Sequence, residues 1–96
     1  MAWTVIYHPE VEYDLLSLGR AEARAILKVI GDRIINGEPE KLGRALTGQL
    51  AGYRKIRTGQ TRIIYRVDGE RIEVLIIAVG MRRDNEIYDA AELRIE

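Results

Sequence analysis

A chain of 96 residues, 47% apolar and 31% charged, has room for one hydrophobic core and not for two, so residues 1–96 read as a single globular domain. It contains no cysteine, which excludes disulfides, thiolate metal sites and cysteine nucleophiles, and no apolar run approaches the ~20 residues of a membrane span. The formal net charge is zero, and the start Met1-Ala2-Trp3-Thr4 lacks the basic-then-apolar pattern of a secretion signal, so a cytoplasmic location is expected.

Trp3–Tyr7, rich in β-branched and aromatic residues, predicts a first strand. Pro9 suits the first turn of the helix that follows, because its missing N–H costs nothing there. Val11, Leu15 and Leu18 recur at helical spacing, and Gly19 is a stop. Ile26, Val29, Ile30 and Ile34 form the apolar stripe of a second helix over Arg20–Asn36, ended by Gly37. Glu38–Gly52 is a connector anchored by Leu42, Leu46 and Leu50, and it is long enough to need some short structure of its own. Its Gly43 and Gly48 have the spacing of a phosphate loop, but Gln49 stands where the lysine belongs, so that match is dismissed.

From Tyr53 the apolar period becomes two, which predicts strands at Tyr53–Thr58, Thr61–Val67 and Arg71–Gly80. Asp68-Gly69 signals a two-residue hairpin pairing Val67 with Glu70. That register places Ile63 and Tyr65 on one face with Ile72, Val74 and Ile76, toward the helices. Leu75, Ile77 and Val79 make the last strand apolar on its other face too, as expected of a central strand covered on both sides. The segment containing Ile87, Ala91 and Leu93 is the candidate second cover. The expected fold class is α+β in the order β-α-α-β-β-β-(α), a helical hairpin on a small, largely antiparallel four-stranded sheet.

The zero net charge conceals a strong segregation. Residues 1–40 carry four basic and seven acidic side chains, a net of −3, and residues 67–96 carry four and eight, a net of −4. Between them, residues 41–66 carry Lys41, Arg44, Arg54, Lys55, Arg57, Arg62 and Arg66 and no acid, a net of +7. A polyanion responds to the local field, so this third can serve as a phosphate-binding surface, although a solvated basic strand pair would look the same. Lys55 and Arg57 project from one strand face, with Ile56 between them directed the other way. Arg62 lies across a tight turn. Arg82 and Arg83 follow the last strand, where Asp84 or Glu86 could pair with them, and Tyr88 comes six residues after Arg82.

Such a set suits phosphodiester cleavage. Attack by a ribose 2′-hydroxyl builds negative charge on phosphorane oxygens, and fixed guanidinium groups stabilise it. Lysine can move a proton if its pKa is lowered, and tyrosine can stack on a base or position the hydroxyl. His8 is the only histidine, so a two-histidine metal site or a paired-histidine nuclease cannot be built. Glu10, Glu12 and Asp14 begin a helix, whose dipole accounts for them without a metal. Neither metal nor cofactor is expected.

The stretches Leu50-Ala-Gly-Tyr-Arg-Lys-Ile-Arg-Thr-Gly-Gln-Thr-Arg-Ile-Ile-Tyr65 and Ile77-Ala-Val-Gly-Met-Arg-Arg-Asp-Asn-Glu-Ile-Tyr88, with the helical hairpin before them, resemble the RelE/ParE toxins over essentially the whole domain. The resemblance implies the toxin of a type II toxin–antitoxin system, held by a RelB-like antitoxin. Its RelE-like branch acts as an mRNA interferase, a metal-independent endoribonuclease that cuts messenger RNA in the ribosomal A site and inhibits translation. By motif, Lys55, Arg62, Arg82 and Tyr88 take the catalytic positions. Lys55 is assigned proton transfer as a general base, Arg62 and Arg82 phosphorane stabilisation, with Arg82 protonating the leaving oxygen, and Tyr88 substrate orientation. Lys41, Arg44, Arg54, Arg57 and Arg83 are the expected RNA-binding residues. Three departures stand out: the neutral net charge, Thr61 where many members place an aromatic, and Arg57 in place of a second lysine. The ParE-like alternative is a DNA gyrase inhibitor without nuclease activity, and a third is an inactive module serving only in an antitoxin complex.

Overall fold

Residues 2–81 and 83–95 are described by a computed structural model. In chain order they form β1 (Thr4–Tyr7), α1 (Val11–Leu18), α2 (Arg20–Val29), β2 (Arg44–Ala45), β3 (Tyr53–Thr58), β4 (Thr61–Asp68), β5 (Glu73–Gly80) and α3 (Asp84–Arg94). The strands make one sheet in the order β1-β5-β4-β3-β2, with β1 parallel to β5 and every other pair antiparallel. The sheet has five strands rather than the expected four, because the connector contributes the two-residue β2 and then a 3₁₀ turn, Gly48–Leu50.

The helical hairpin covers one face. Gly19, at φ +88°, makes the sharp junction between α1 and α2, a backbone conformation that costs glycine little. The first helix starts at Val11, two residues after Pro9. The second changes at Ile30 into a π-helical segment, Ile30–Ile35, that keeps Ile30 and Ile34 fully buried. These two residues, with Val11 and Ile26, pack on Ile56, Ile63, Tyr65, Val74, Ile76 and Val79 of the sheet. On the opposite face Ile87 and Ala91 of α3 pack on Leu50, Tyr53, Ile64, Ile77 and Ala78. The central strand β5 is thus covered on both sides, as its two-sided apolarity implies.

Two features of β4 and β5 differ from the alternation read in the sequence. The Asp68-Gly69 hairpin is wider than two residues: Asp68 Oδ1 accepts the Glu70 and Arg71 amides at 3.1 and 3.2 Å, and Ile72 takes φ +53°. Pairing therefore begins at Asp68↔Glu73, with Val67 opposite Val74 rather than Glu70. That shift is an even number of residues, so Tyr65 and Val74 keep the expected face. The second difference is a bulge. Tyr65 pairs with Ile76 but Ile64 with Ala78, which leaves Ile77 as an extra residue in β5. Val79 is thereby turned to the α1/α2 face instead of joining Ile77, and Ala78 replaces it beneath α3.

A buried ion pair joins the layers. Arg94, at the end of α3, meets Asp14 of α1 in a bidentate contact at 2.6 and 3.0 Å, and their side chains are 9% and 8% exposed. Arg94 also donates to the Ile77 carbonyl at 3.0 Å, and Asp14 accepts the Val79 amide at 3.0 Å, past the point where β1 pairing ends. Asp14 therefore does more than meet a helix dipole, the role that the sequence suggested.

The connector is pinned from beneath. The buried Tyr65 hydroxyl donates to the Pro39 carbonyl at 2.9 Å, and Arg54 Nε donates to the Leu42 carbonyl at 2.7 Å. Gly43, at φ +65°, runs so close to β3 that an added Cβ would lie 2.1 Å from the Lys55 carbonyl oxygen.

Two stability outcomes follow from these contacts. Asp14→Ala leaves the buried Arg94 guanidinium to the Ile77 carbonyl and to Glu10 at 3.6 Å, and is expected to cost about 3 kcal/mol in urea unfolding, with Asp14→Asn milder because it can still accept the Val79 amide. Gly43→Ala is expected to cost at least about 1–3 kcal/mol and to raise amide hydrogen exchange along β2 and β3.

Candidate active site

The register of β2, β3 and β4 decides which cations share a face. Arg44 lies opposite Lys55, Lys55 opposite Ile64, and Arg57 opposite Arg62. Ile64 and Tyr53 belong to the core beneath α3, so Arg44, Lys55, Arg57 and Arg62 project from that same face. Of these, Lys55 and Arg62 reach the first turn of α3.

Lys55 and Arg62 converge on one anion. Lys55 Nζ donates to Asp84 Oδ2 at 2.9 Å, and Arg62 Nε donates to Asp84 Oδ1 in a very short contact. The two cationic side chains are only 12% and 13% exposed, whereas Asp84 is 46% exposed and lies over them. One helical turn further, Tyr88 presents its ring 5.6 Å from Lys55 Nζ. A cleft of about 400 Å³ adjoins this cluster, lined among others by Arg44, Leu46, Leu50, Asp84, Tyr88 and Glu92.

The electrostatics fix the protonation states. Partial burial pulls the Lys55 pKa down, but hydrogen bonds to Asp84 and Tyr88 outweigh it and leave the ammonium above its ordinary value. The Lys55 hydrogen bond, against some desolvation and with help from Arg62, holds Asp84 below the usual carboxylate range. In the free protein Lys55 is an acid and a cation.

The other expected site residues divide by face. Arg57 is exposed, its Nε donating to the Gly59 carbonyl at 3.3 Å, and the Arg44 side chain makes no hydrogen bond or ion pair among the described residues. Arg54 points to the opposite face, where it holds the connector, so it does not join the cluster. Lys41 lies in the connector, 3.6 Å from Glu38, with both side chains largely exposed. Arg83 is exposed just before α3, and Arg82 lies outside the described residues. Thr61 is fully buried and bonds Glu22 of α2 at 3.2 Å, so the missing aromatic at this position leaves the cationic face untouched. Tyr65, which ends the Arg-apolar-apolar-Tyr motif, is likewise a structural residue.

The residue that the sequence did not single out is Asp84. Its only local sign is its place after Arg82-Arg83, which suggested a partner for its neighbours. Its actual partners lie 29 and 22 residues away. Among the described residues no cluster of histidine, aspartate or glutamate could hold a metal ion, and no helix is long and apolar enough to cross a membrane.

The pH dependence of this cluster has two limbs. A lysine pKa raised by folding contributes stability that is complete below the unfolded value and is lost as pH rises through the folded one. A lowered carboxylate pKa contributes stability that is complete above the unfolded value and is lost as pH falls through the folded one. The Lys55–Asp84 pair is therefore expected to be intact across the neutral range. Side-chain NMR should find Lys55 Nζ titrating only above the ordinary lysine range and Asp84 Cγ only below the ordinary carboxylate range.

Comparisons with known proteins agree on the family. The family model for the ParE toxin of the type II toxin–antitoxin system parDE matches residues 5–86. Toxin RelG of Mycobacterium tuberculosis is 33% identical over 85 residues, which span 88% of this chain and 95% of that protein. Among solved structures, the toxin–antitoxin complex RelBE2 from M. tuberculosis matches with a TM-score of 0.78 and 29% identity, over 85% of this chain and 100% of the matched one. A doubly arginine-substituted E. coli RelE in the free state matches over the whole of both chains with a TM-score of 0.79; at 23% identity it speaks for the fold alone. The chain is a type II toxin–antitoxin toxin and belongs to the RelE/ParE family.

Proposed function

We propose that this toxin is a ribosome-dependent, metal-independent mRNA endoribonuclease of the RelE type, acting in the cytoplasm and neutralised by a RelB-like antitoxin. The observation that carries the reading is the convergence of Lys55 and Arg62 on one anion, with Tyr88 beside them. Two partly buried cations that clasp a carboxylate can clasp a phosphodiester in the same way, because both present a pair of anionic oxygens. Arg44 and Arg57, on the same face, extend the positive surface along the RNA backbone.

In the reaction, the 2′-oxygen bonds to phosphorus while the bond from phosphorus to the 5′-oxygen breaks, leaving a 2′,3′-cyclic phosphate and a 5′-hydroxyl. Lys55 and Arg62 offset the charge that builds on the phosphorane oxygens. The 2′-hydroxyl proton passes to Lys55, whose amine must first have lost its own proton to solvent, and the ammonium that this transfer regenerates is the cation that faces the phosphorane. The leaving 5′-oxygen takes a proton, the role that the family resemblance gives to Arg82. Tyr88, projecting into the adjoining cleft, orients the nucleoside.

The matching family model is that of ParE, which keeps a second reading in view: inhibition of DNA gyrase without nuclease activity. Induced expression followed by mapping of mRNA 5′ ends separates the two. Cuts confined to translated codons support the nuclease; intact mRNA with arrested supercoiling supports the gyrase inhibitor. Arg62→Ala is expected to lower the cleavage rate about 10²–10³-fold. Arg82→Ala combined with Tyr88→Ala should abolish growth arrest while leaving the circular dichroism of the fold unchanged.

A further inference from the structure

We propose that Asp84 is a built-in competitor for the scissile phosphate, a carboxylate on the toxin's own chain that fills the anion seat until RNA displaces it. The inference rests on the nuclease reading of the site and adds a determinant of its substrate affinity.

An aspartate in the first turn of a helix is ordinarily explained by the helix dipole, and Asp84 holds that position in α3. The dipole alone, however, leaves a carboxylate free to face water. Here both oxygens are turned back onto the sheet, one to Lys55 of β3 and one to Arg62 of β4. Each cation gives Asp84 a donor that a phosphate oxygen would otherwise take. The exposures complete the argument. The cations are sunk to 12% and 13%, so little of either is open to a second anion while Asp84 holds them. Asp84 itself is 46% exposed, so rotation of its side chain into solvent opens the seat without moving the backbone of α3.

Displacement is thermodynamically plausible because a half-exposed carboxylate gains little from each ion pair. A polyanion that also engages Arg44 and Arg57 has more contacts to offer than Asp84 does. Asp84 thus raises the concentration of RNA that the toxin requires, and a weak phosphate ligand alone meets competition at the seat.

The test is a titration of the full-length toxin with inorganic phosphate, followed by NMR of Lys55 Nζ and Arg62 Nε, for wild type and Asp84→Asn. The asparagine keeps the size of the side chain and removes its charge, and phosphate is expected to bind about tenfold more tightly to this variant, as the release of two modest ion pairs allows. In the wild type, phosphate should shift Asp84 Cγ toward a free carboxylate, a readout that holds even if the variant fails to fold. On ribosomal mRNA, Asp84→Asn should lower KM several-fold. Equal or weaker phosphate binding in the variant, or an Asp84 Cγ signal that phosphate does not move, overturns the inference. Displacement of Asp84 by phosphate in a toxin that cuts no RNA would leave the inference standing and remove the nuclease reading instead.

Discussion

The site depends on where α3 lies, and α3 is held at both ends by charge. At its end Arg94 reaches through the layer to Asp14 of α1, and at its start Asp84 reaches back to β3 and β4. Between them Ile87 and Ala91 provide the apolar contact. The two tethers differ in kind. The Arg94–Asp14 pair is buried, bidentate and backed by backbone partners on both sides, so either charge left alone would be costly. The Asp84 contacts are half in water, where ion pairs contribute little to stability. One end of the helix is therefore anchored by its ion pair, and the other carries an ion pair that an incoming anion can exchange at small cost.

The bulge at Ile77 serves the same arrangement from the sheet side. Strict alternation along β5 would place Val79 beneath α3 and Ala78 beneath the hairpin. The extra residue reverses both, setting a small alanine under α3 and a larger valine in the main core. The strand ends at Gly80, opposite Arg62, so no side chain from β5 crowds the guanidinium where it approaches Asp84.

Much of this was legible in the sequence because it is local or periodic. The helical hairpin, the three C-terminal strands, the two-sided burial of β5 and the projection of Lys55 and Arg57 from one face all follow from spacings of two or of three to four. The bulge, the wider hairpin and the two-residue β2 were not legible, since each depends on hydrogen bonds that composition does not encode. Strand alternation separates Arg54 from Lys55, but it does not show what each one meets. The pleat sends the first to the connector carbonyls and the second to the site. Asp14 was read as a helix-start acid and Asp84 as a partner for the arginines just before it, and neither reading reaches the partners that lie 22 to 80 residues away.

Charge segregation takes a more specific form in the folded chain. The acid-free stretch from Lys41 to Arg66 does not present all seven of its cations to one partner: Arg54 is spent on the connector, and Arg66 stacks 5.8 Å from Tyr53. Lys41 lies beside Glu38 in the connector, and of Arg44, Lys55, Arg57 and Arg62, which share the α3 face, Lys55 and Arg62 meet the Asp84 carboxylate from the acidic C-terminal third. A neutral chain can therefore keep a cationic face provided most of its acids lie elsewhere. One acid is placed at the site itself, which keeps two sunken cations solvated by protein rather than exposed as an uncompensated pair. Paired in this way, they are compensated at rest, and in the proposed exchange the affinity of the seat is set by how readily that one acid gives way.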